Sequence, residues 1–402
     1  MNYDVAVAGA GLVGATLACA LAKAGLRVAV IEASEPLPPM GEDWELRVSA
    51  ITPASEFILR GIDVWDALPC DRMGVFREMH VWDATGGGRV HFDAAEIGAE
   101  ALGHIVENGA VQRALEHRMA SLDTLKVFRP DTVEDLLIER DRATLRLGGA
   151  RLHARLVVAA DGSRSRLREL AGIACDGGDY GQEAVVATVL TERGHAETAW
   201  QRFMPDGPLA FLPLPGRFCS IVWSTLPEHA QALLAQSDED FADALGQAFE
   251  WRLGRLETVG GRAAFPLRHL HARDYVGERI ALVGDAAHTV HPLAGQGANL
   301  GLQDAAALAE VVHDTCSRGR DPGRRSNLRR YERWRKGRNR LMQEGLSGFQ
   351  WLFSSRLEPV RAARNLGLST VDRLPPLKRL FMRYASGFGG DLPRMARSPR
   401  WP

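Results

Sequence analysis

An acid at the end of an apolar run, followed by a proline and closely spaced glycines, can hold a large, flat, polyol-linked cofactor. The chain carries this pattern as Gly284-Asp285-Ala286-Ala287-His288 and Pro292-Leu293-Ala294-Gly295-Gln296-Gly297-Ala298-Asn299-Leu300-Gly301. Residues 279–283 before it read as a strand, and residues 302–308 after it as a helix. Asp285 can accept hydrogen bonds from sugar-like hydroxyls. Gly295 and Gly297 let backbone lie against an aromatic ring, with Gly297 expected at a positive φ that a branched side chain would strain. The helix N-terminus adds free N–H groups and positive dipole where negative charge collects. Alone, the motif also fits an ordinary strand-turn-helix of an α/β protein.

Two further elements narrow the reading. Gly9-Ala10-Gly11-Leu12-Val13-Gly14 follows a strand at 3–8 and opens a helix at 15–24, and a second strand ends at Glu32, eighteen residues after Gly14. Glycines in that turn let a pyrophosphate approach the helix N-terminus, and the acid suits a ribose hydroxyl. An acid at Glu32 favours an unphosphorylated ribose, that is FAD or NAD over NADP. Asp161-Gly162-Ser163-Arg164-Ser165 closes another buried strand at 155–160. One dinucleotide site served by three separated elements suits FAD, whose ribityl chain and ring system extend well beyond the adenosine half.

The elements that must position these residues are a doubly wound sheet and its helices. The three strands lie far apart in the chain, so the cofactor domain is expected to be discontinuous. Residues 79–93 and 183–224 are rich in β-branched and aromatic residues with Gly/Pro turns, and read as antiparallel strands of a second layer. Residues 302–350 and 356–385 read as helical and basic. The expected division is 1–75 with 101–176 and 270–350 for the cofactor, 76–100 with 177–269 for substrate, and 351–402 as a helical basic segment.

The chain has 402 residues, room for two cores, and its net charge of −1 is unevenly spread. Residues 317–402 carry 21 Lys/Arg and 6 Asp/Glu, a local +15 against −16 for the remainder. That asymmetry suits an anionic partner, a membrane surface or a protein; a solvated helical face reads the same way. Cys19, Cys70, Cys175, Cys219 and Cys316 show no paired spacing, as in a reducing compartment with free thiols and no structural zinc. No metal-ligand cluster and no nucleophile–base arrangement is expected. The glycine-broken N-terminus lacks a basic lead-in, so no signal peptide is expected, and no stretch is apolar enough to span a bilayer.

On Gly9 to Gly14, Asp161-Gly162 and Gly284-Asp285 the chain resembles the group A flavoprotein monooxygenases, with a fold like that of p-hydroxybenzoate hydroxylase. A narrower likeness, to the FAD-dependent hydroxylases of ubiquinone biosynthesis, rests on five runs. They are Leu46-Arg47-Val48-Ser49-Ala50-Ile51, Gly103-His104-Ile105-Val106-Glu107-Asn108, Leu209-Ala210-Phe211-Leu212-Pro213-Leu214, Cys219-Ser220-Ile221-Val222-Trp223-Ser224 and the run from His291 to Gly301. Arg330-Tyr331-Glu332-Arg333 and residues 349–353 extend it, so that it covers the chain from about residue 4 to about residue 390. Ala298 departs from the Val or Leu usual there.

The resemblance implies an α/β fold: a Rossmann-like FAD-binding domain, an inserted, mainly antiparallel β-sheet substrate domain and a helical C-terminal segment. It implies Gly9, Gly11, Gly14 and Glu32 around the ADP half of FAD, with Arg47 and Gln112 also in contact. Asp161 would lie by the pyrophosphate and ribose, Asp285 on the ribityl chain, and Pro292, Gly295, Gln296, Gly297, Ala298 and Asn299 along the flavin ring. It implies hydroxylation of a polyprenylated phenol, 2-polyprenylphenol first, through a flavin C4a-hydroperoxide, with O2 and a transient NAD(P)H donor. A sister hydroxylase acting at another ring position is the alternative. A halogenase or reductase on the same fold is another, though no Trp-x-Trp-x-Ile-Pro run is present; a non-catalytic flavoprotein scaffold is a third.

Phe211, Leu212, Pro213, Leu214 and Trp223 are candidate walls of a dry pocket, or else sheet core. His288 and His291 are read as hydrogen-bonding groups of their turn before acid–base groups. Trp351, Phe353, Phe381 and Trp401, interleaved with Lys378, Arg379 and Arg383, fit a surface meeting a membrane or partner enzymes, or helices packed on the FAD domain. The expected setting is cytoplasmic, at the face of the inner membrane, with other ubiquinone-biosynthesis proteins or further copies of the chain as neighbours and no nucleic acid.

Overall fold

The computed structural model describes residues 2–290, 295–355 and 357–401. Its first eight-stranded sheet is built on parallel neighbours in the order Ile280–Leu282, Arg151–Ala159, Asn2–Ala8, Val28–Ile31 and Leu125–Phe128. Residues 5–8, 28–31, 156–159 and 280–282 form continuous buried apolar runs because both faces are covered there, whereas the edge strand Leu125–Phe128 is only half-buried. Helix Leu12–Lys23 is almost entirely buried, with Ala15, Leu17, Ala18 and Leu21 at zero exposure. It packs against helix Gln296–Ser317.

Register decides what this sheet presents. Ala8 pairs with Ile31 on one side and Ala159 on the other, and Ala159 pairs with Leu282. The residues that follow these partners are Gly9, Glu32, Ala160-Asp161 and Val283-Gly284-Asp285. Motifs separated by more than two hundred residues thus become neighbours at the carboxyl edge of one sheet, where open α/β sheets bind ligands.

The second eight-stranded sheet runs in the order His288–Thr289, Leu256–Ala272, Cys175–Thr191, Phe218–Thr225, Gly207–Pro213, Thr198–Met204, Glu78–Asp83 and Arg89–Asp93. It is antiparallel except where Thr198–Met204 runs parallel to Glu78–Asp83. His288–Thr289 continues directly from the Asp285 turn, so one short segment belongs to both the motif and the second sheet. A three-stranded sheet of Val48–Ile51, Gly103–Glu107 and Met73–Phe76 completes the β structure among the described residues.

The helical reading of 302–350 needs correction. Helix Gln296–Ser317 starts earlier, and the chain breaks before helix Arg325–Ser354. Gly319 turns with φ 67°, and Pro322 and Gly323 follow; proline cannot supply the N–H that a continuous helix needs. Helices Glu358–Arg373 and Pro375–Ala385 follow. Part of the basic C-terminal stretch is structural. Phe353 stacks on Phe203 at 3.8 Å, buried Lys378 pairs with Glu96 at 2.5 Å, and buried Trp401 donates to the carbonyl of Ala20 at 2.8 Å. Trp351, Leu366, Leu374, Leu380, Phe381 and Tyr384 stay exposed.

Candidate cofactor and substrate cleft

A cleft of about 1530 Å³ lies between the two large sheets. Gly9, Gly11, Glu32, Arg47, Gln112, Asp161, Asp285, Gly295, Gly297 and Ala298 all line it. Gly14, Gln296 and Asn299 do not, and Pro292 and His291 fall outside the described residues.

The glycine-rich turn is built by contact. Gly9 has φ 97°, and a Cβ there would stand 2.3 Å from the carbonyl oxygen of Ala160. Gly14 serves packing: a Cβ would meet the carbonyl oxygen of Gly9 at 2.1 Å and the Ala160 methyl at 2.9 Å. Glu32 accepts from the Ala10 N–H at 2.7 Å and the Ser34 N–H at 2.8 Å, and Gln112 donates to the Ala10 carbonyl at 2.6 Å. Both therefore brace the turn as well as facing the cleft. Helix Leu12–Lys23 has no side-chain cap and no acid in its first turn, so its N–H groups and positive pole remain available.

Asp161 accepts from the Ser165 hydroxyl and the Leu167 N–H, which seats helix Arg166–Leu170. Asp285 is exposed to the open cleft, while protein groups crowd around its carboxyl from the walls. The desolvation from that crowding pushes the carboxyl above the ordinary value, while the charges of His288 and Arg47 act in the opposite direction.

His288 is buried and faces away from the cleft, with Nε2 2.5 Å from Asp304 Oδ2. Asp304 also accepts from Arg335 Nε at 2.7 Å, Asn339 Nδ2 at 2.9 Å and the Gly284 N–H at 3.3 Å. Burial alone would raise the Asp304 carboxyl. The charges of His288 and Arg335, with hydrogen bonds from His288 and Asn339, overcome it and hold the group down at about 2. The turn bearing Asp285 is thus fastened to two helices, Gln296–Ser317 and Arg325–Ser354. Sequence reasoning missed Asp304, Arg335 and Asn339; the i, i+4 spacing of Arg335 and Asn339 in a basic helix was their only signal.

At the start of helix Gln296–Ser317 the roles of two glycines differ from expectation. Gly295 is the residue with positive φ, 61°, and its Cβ position lies 2.9 Å from the Ala50 methyl. Gly297 is helical, and only Val290 Cγ2, at 3.8 Å, comes near its Cβ position. The Asn299 side chain accepts from the Thr52 N–H at 3.0 Å and donates to the carbonyls of Ala50 and Gly295, which locks this helix end to strand Val48–Ile51. Here too the first turn has no side-chain cap and no acid.

The opposite wall belongs to the second sheet. Ala184, Val186, Val222, Phe265, Pro266, Leu267 and Arg268 line it, with Thr289 and Val290 from the turn. None of Phe211, Leu212, Pro213, Leu214 and Trp223 does. Phe211 and Trp223 pack in a separate core with Phe241, Leu245 and Phe249. The cause is strand alternation: Trp223 points into that core, so its neighbour Val222 faces the cleft.

These groups suit FAD: two uncapped helix N-termini for a diphosphate and a flavin, acids to accept from ribose and ribityl hydroxyls, and a glycine-lined approach for a ring. Residues 2–343 match a family described as "FAD binding domain". The chain is 38% identical over 386 residues to the 3-demethoxyubiquinol 3-hydroxylase of Escherichia coli K12, covering 96% of this chain and 98% of that one. It is 40% identical over 398 residues to the ubiquinone hydroxylase UbiL of Rhodospirillum rubrum, covering 98% and 92%. The crystal structure of p-nitrophenol 4-monooxygenase PnpA from Pseudomonas putida DLL-E4 superposes with TM-score 0.78 at 20% identity, over 97% of this chain and 100% of that one, a likeness of fold.

Proposed function

Because the chain belongs to the FAD-binding-domain family and, within it, to the FAD-dependent monooxygenases of ubiquinone biosynthesis, we propose that it hydroxylates the ring of a polyprenylated phenol. What carries this reading is the cleft itself, with motif residues on four neighbouring strand ends facing an apolar sheet. Segments 1–75, 101–176 and 270–350 hold the cofactor in this reading, 76–100 and 177–269 the ring substrate, and 351–402 forms a third, helical unit.

FAD, once reduced, supplies the activation of O2 that side chains cannot. The protein binds and orients. Gly9 and Gly11 would admit the diphosphate to the helix N-terminus, Glu32 would accept from ribose, and Asp161 would lie on the same side. Arg47 and Gln112 would also contact the cofactor, Arg47 from near enough to Asp285 for its charge to act on that carboxyl, and Asp285 would accept from the ribityl chain. Residues 295–298 would border the ring, Asn299 sets the backbone there as Gly14 does at the diphosphate turn, and the helix pole beside Gly295 would favour negative charge at the ring. Ala184, Val186, Val222, Leu267 and Val290 keep water from the reacting ring. NAD(P)H is the reductant in this reading.

The substrate is 2-polyprenylphenol, with 3-demethoxyubiquinol, named for the E. coli relative, as the competing ring position. No helix among the described residues is long and apolar enough to cross a membrane. Exposed Leu366, Leu374, Leu380, Phe381 and Tyr384, set among exposed Arg373, Arg379 and Arg383, support peripheral contact with an anionic inner-membrane surface from the cytoplasmic side.

Substrate-dependent oxygen uptake by the FAD-loaded protein, with each ring substrate, tests the reaction. Mass spectrometry of quinone precursors in a deletion strain tests the position. Accumulation of 3-demethoxyubiquinol would move the assignment to that ring position, and an unchanged precursor pool would remove the pathway assignment.

A further inference from the structure

The hairpin Glu78–Asp83 and Arg89–Asp93 forms one edge of the second sheet. Its register sets His80 directly opposite His91 and Glu78 opposite Asp93. Strand alternation puts Glu78 and His80 on one face with His91, where directly opposed Cβ atoms are about 4.5–5.5 Å apart. The two imidazoles stack at 4.1 Å and 17°, and Trp200 stacks on the other face of His80 at 4.6 Å and 15°. Glu78 Oε2 lies 2.9 Å from His91 Nε2 and 3.7 Å from His80 Nε2. One ligand atom from each residue lies within 4.8 Å of the others. The His91 N–H donates to Asp372 of helix Glu358–Arg373 at 3.1 Å, which fixes the outer strand.

We propose that Glu78, His80 and His91 bind a divalent transition-metal ion. Two imidazole nitrogens and one carboxylate select zinc, nickel or copper over magnesium or calcium. The side chains are 35%, 37% and 40% exposed for His80, His91 and Glu78, so an ion reaches them and completes its shell with water. A tetrahedral ion with bonds of about 2.0–2.1 Å keeps its ligand atoms about 3.4 Å apart, so the Glu78–His91 pair opens from 2.9 Å and the Glu78–His80 pair closes from 3.7 Å, both within reach of side-chain rotation. None of the three residues lines the cofactor cleft. The ion therefore staples the outermost strand to the sheet and stands apart from the oxidation chemistry.

The test uses the full, FAD-loaded chain without a histidine tag, stripped with a chelator and titrated with Zn2+ by calorimetry and with Cu2+ by electron paramagnetic resonance. One ion per chain, a copper signal split by two nitrogens, and a loss of affinity greater than about tenfold in His91→Ala and Glu78→Gln are expected. His80→Asn and His91→Asn, checked by circular dichroism, supply folded variants should His91→Ala fail to fold. Absence of uptake at micromolar metal overturns the proposal. So does uptake that these substitutions leave unchanged, or that Cys70→Ser or Cys175→Ser abolishes in their place.

Discussion

His288 and Asp304 meet at 2.5 Å with both side chains shut off from solvent, and this contact joins the Asp285 turn to helix Gln296–Ser317. Asp304→Asn leaves Arg335 buried without its counter-charge, which costs about 3–5 kcal/mol. The wild-type carboxyl sits at about 2 when folded against 3.8 otherwise. Its stabilisation is complete above 3.8 and is lost as pH falls from there towards 2. Melting curves between pH 5 and pH 2 should show a shallower acid limb in Asp304→Asn than in the wild type. Parallel limbs would detach Asp304 from acid stability.

Asp285→Ala should weaken FAD binding by roughly tenfold to a hundredfold, the about 1.5–3 kcal/mol of a hydrogen bond to a charged acceptor. The raised carboxyl gains its proton at a higher pH than a free one, and the neutral acid is the poorer acceptor. FAD affinity should therefore fall on acidification before ordinary carboxylates titrate, and Asp285→Asn should remove that step. Titration of apoprotein across pH measures both. An unchanged dissociation constant in Asp285→Ala takes the residue out of the site.

The two glycines of the helix start should separate under substitution. Gly295→Ala forces a positive φ on a side chain that also presses on Ala50, at a cost on the order of 1–3 kcal/mol. Gly297→Ala meets only Val290 Cγ2, at an ordinary contact distance of 3.8 Å, and gains up to about 1 kcal/mol of helix propensity. Its methyl group, however, stands in the cleft where the ring would lie. The first variant should melt lower, while the second should melt at or above the wild type with reduced flavin content and turnover. Normal hydroxylation by a Gly297→Val protein that folds would refute the ring-side assignment.

Neighbours on one strand should likewise part company. Val222→Phe should lower kcat/KM for the ring substrate with little change in melting temperature, because residue 222 faces the cleft. Trp223→Ala should cost about 3–5 kcal/mol of stability, because residue 223 fills the Phe211 and Phe249 core. Steady-state kinetics beside thermal melts distinguishes them. Equal effects in both assays would mean that the alternation is wrong.

Reversal of Arg379 and Arg383, with Leu380→Glu, should release the protein from anionic vesicles while leaving oxygen uptake on detergent-dispersed substrate unchanged. Each exposed basic residue contributes about 1 kcal/mol near an anionic surface. The attraction fades as the Debye length shortens from about 10 Å at 0.1 M salt to about 3 Å at 1 M. Lys378 is excluded from this set because its ammonium is held in the Glu96 pair. Co-sedimentation that is equal on neutral and anionic vesicles at every salt concentration would assign this surface to packing.

The ends of the parallel strands were legible in the chain because a backbone turn against a diphosphate demands glycine, and a hydroxyl demands an acid, whatever surrounds them. Gly9, Glu32, Asp161 and Asp285 could be read that way. The cleft's second wall could not: Val222 and Trp223 are both apolar, and only register says which one faces the ligand. Gly295 and Gly297 look alike in sequence, and their φ angles depend on how Asn299 ties the turn to Ala50 and Thr52. Glu78, His80 and His91 show no metal-ligand spacing because the hairpin pairing, and not the interval along the chain, brings them together. Trp401 gave no sign that its indole reaches back to Ala20.

Strand Arg151–Ala159 lies between Asn2–Ala8 and Ile280–Leu282, and this order governs when the protein can first meet its cofactor. A chain emerging from the ribosome can close the turn at Gly9 early, but the edge that presents Asp285 is absent until nearly three-quarters of the sequence has been made. No contiguous fragment owns the site. Flavin can therefore act only on chains extended past Ala298, and by mass action it protects the folded species from unfolding by RT ln(1 + [FAD]/Kd). Flavin depletion should therefore shorten the lifetime of the folded chain, which pulse-chase labelling with and without riboflavin would read.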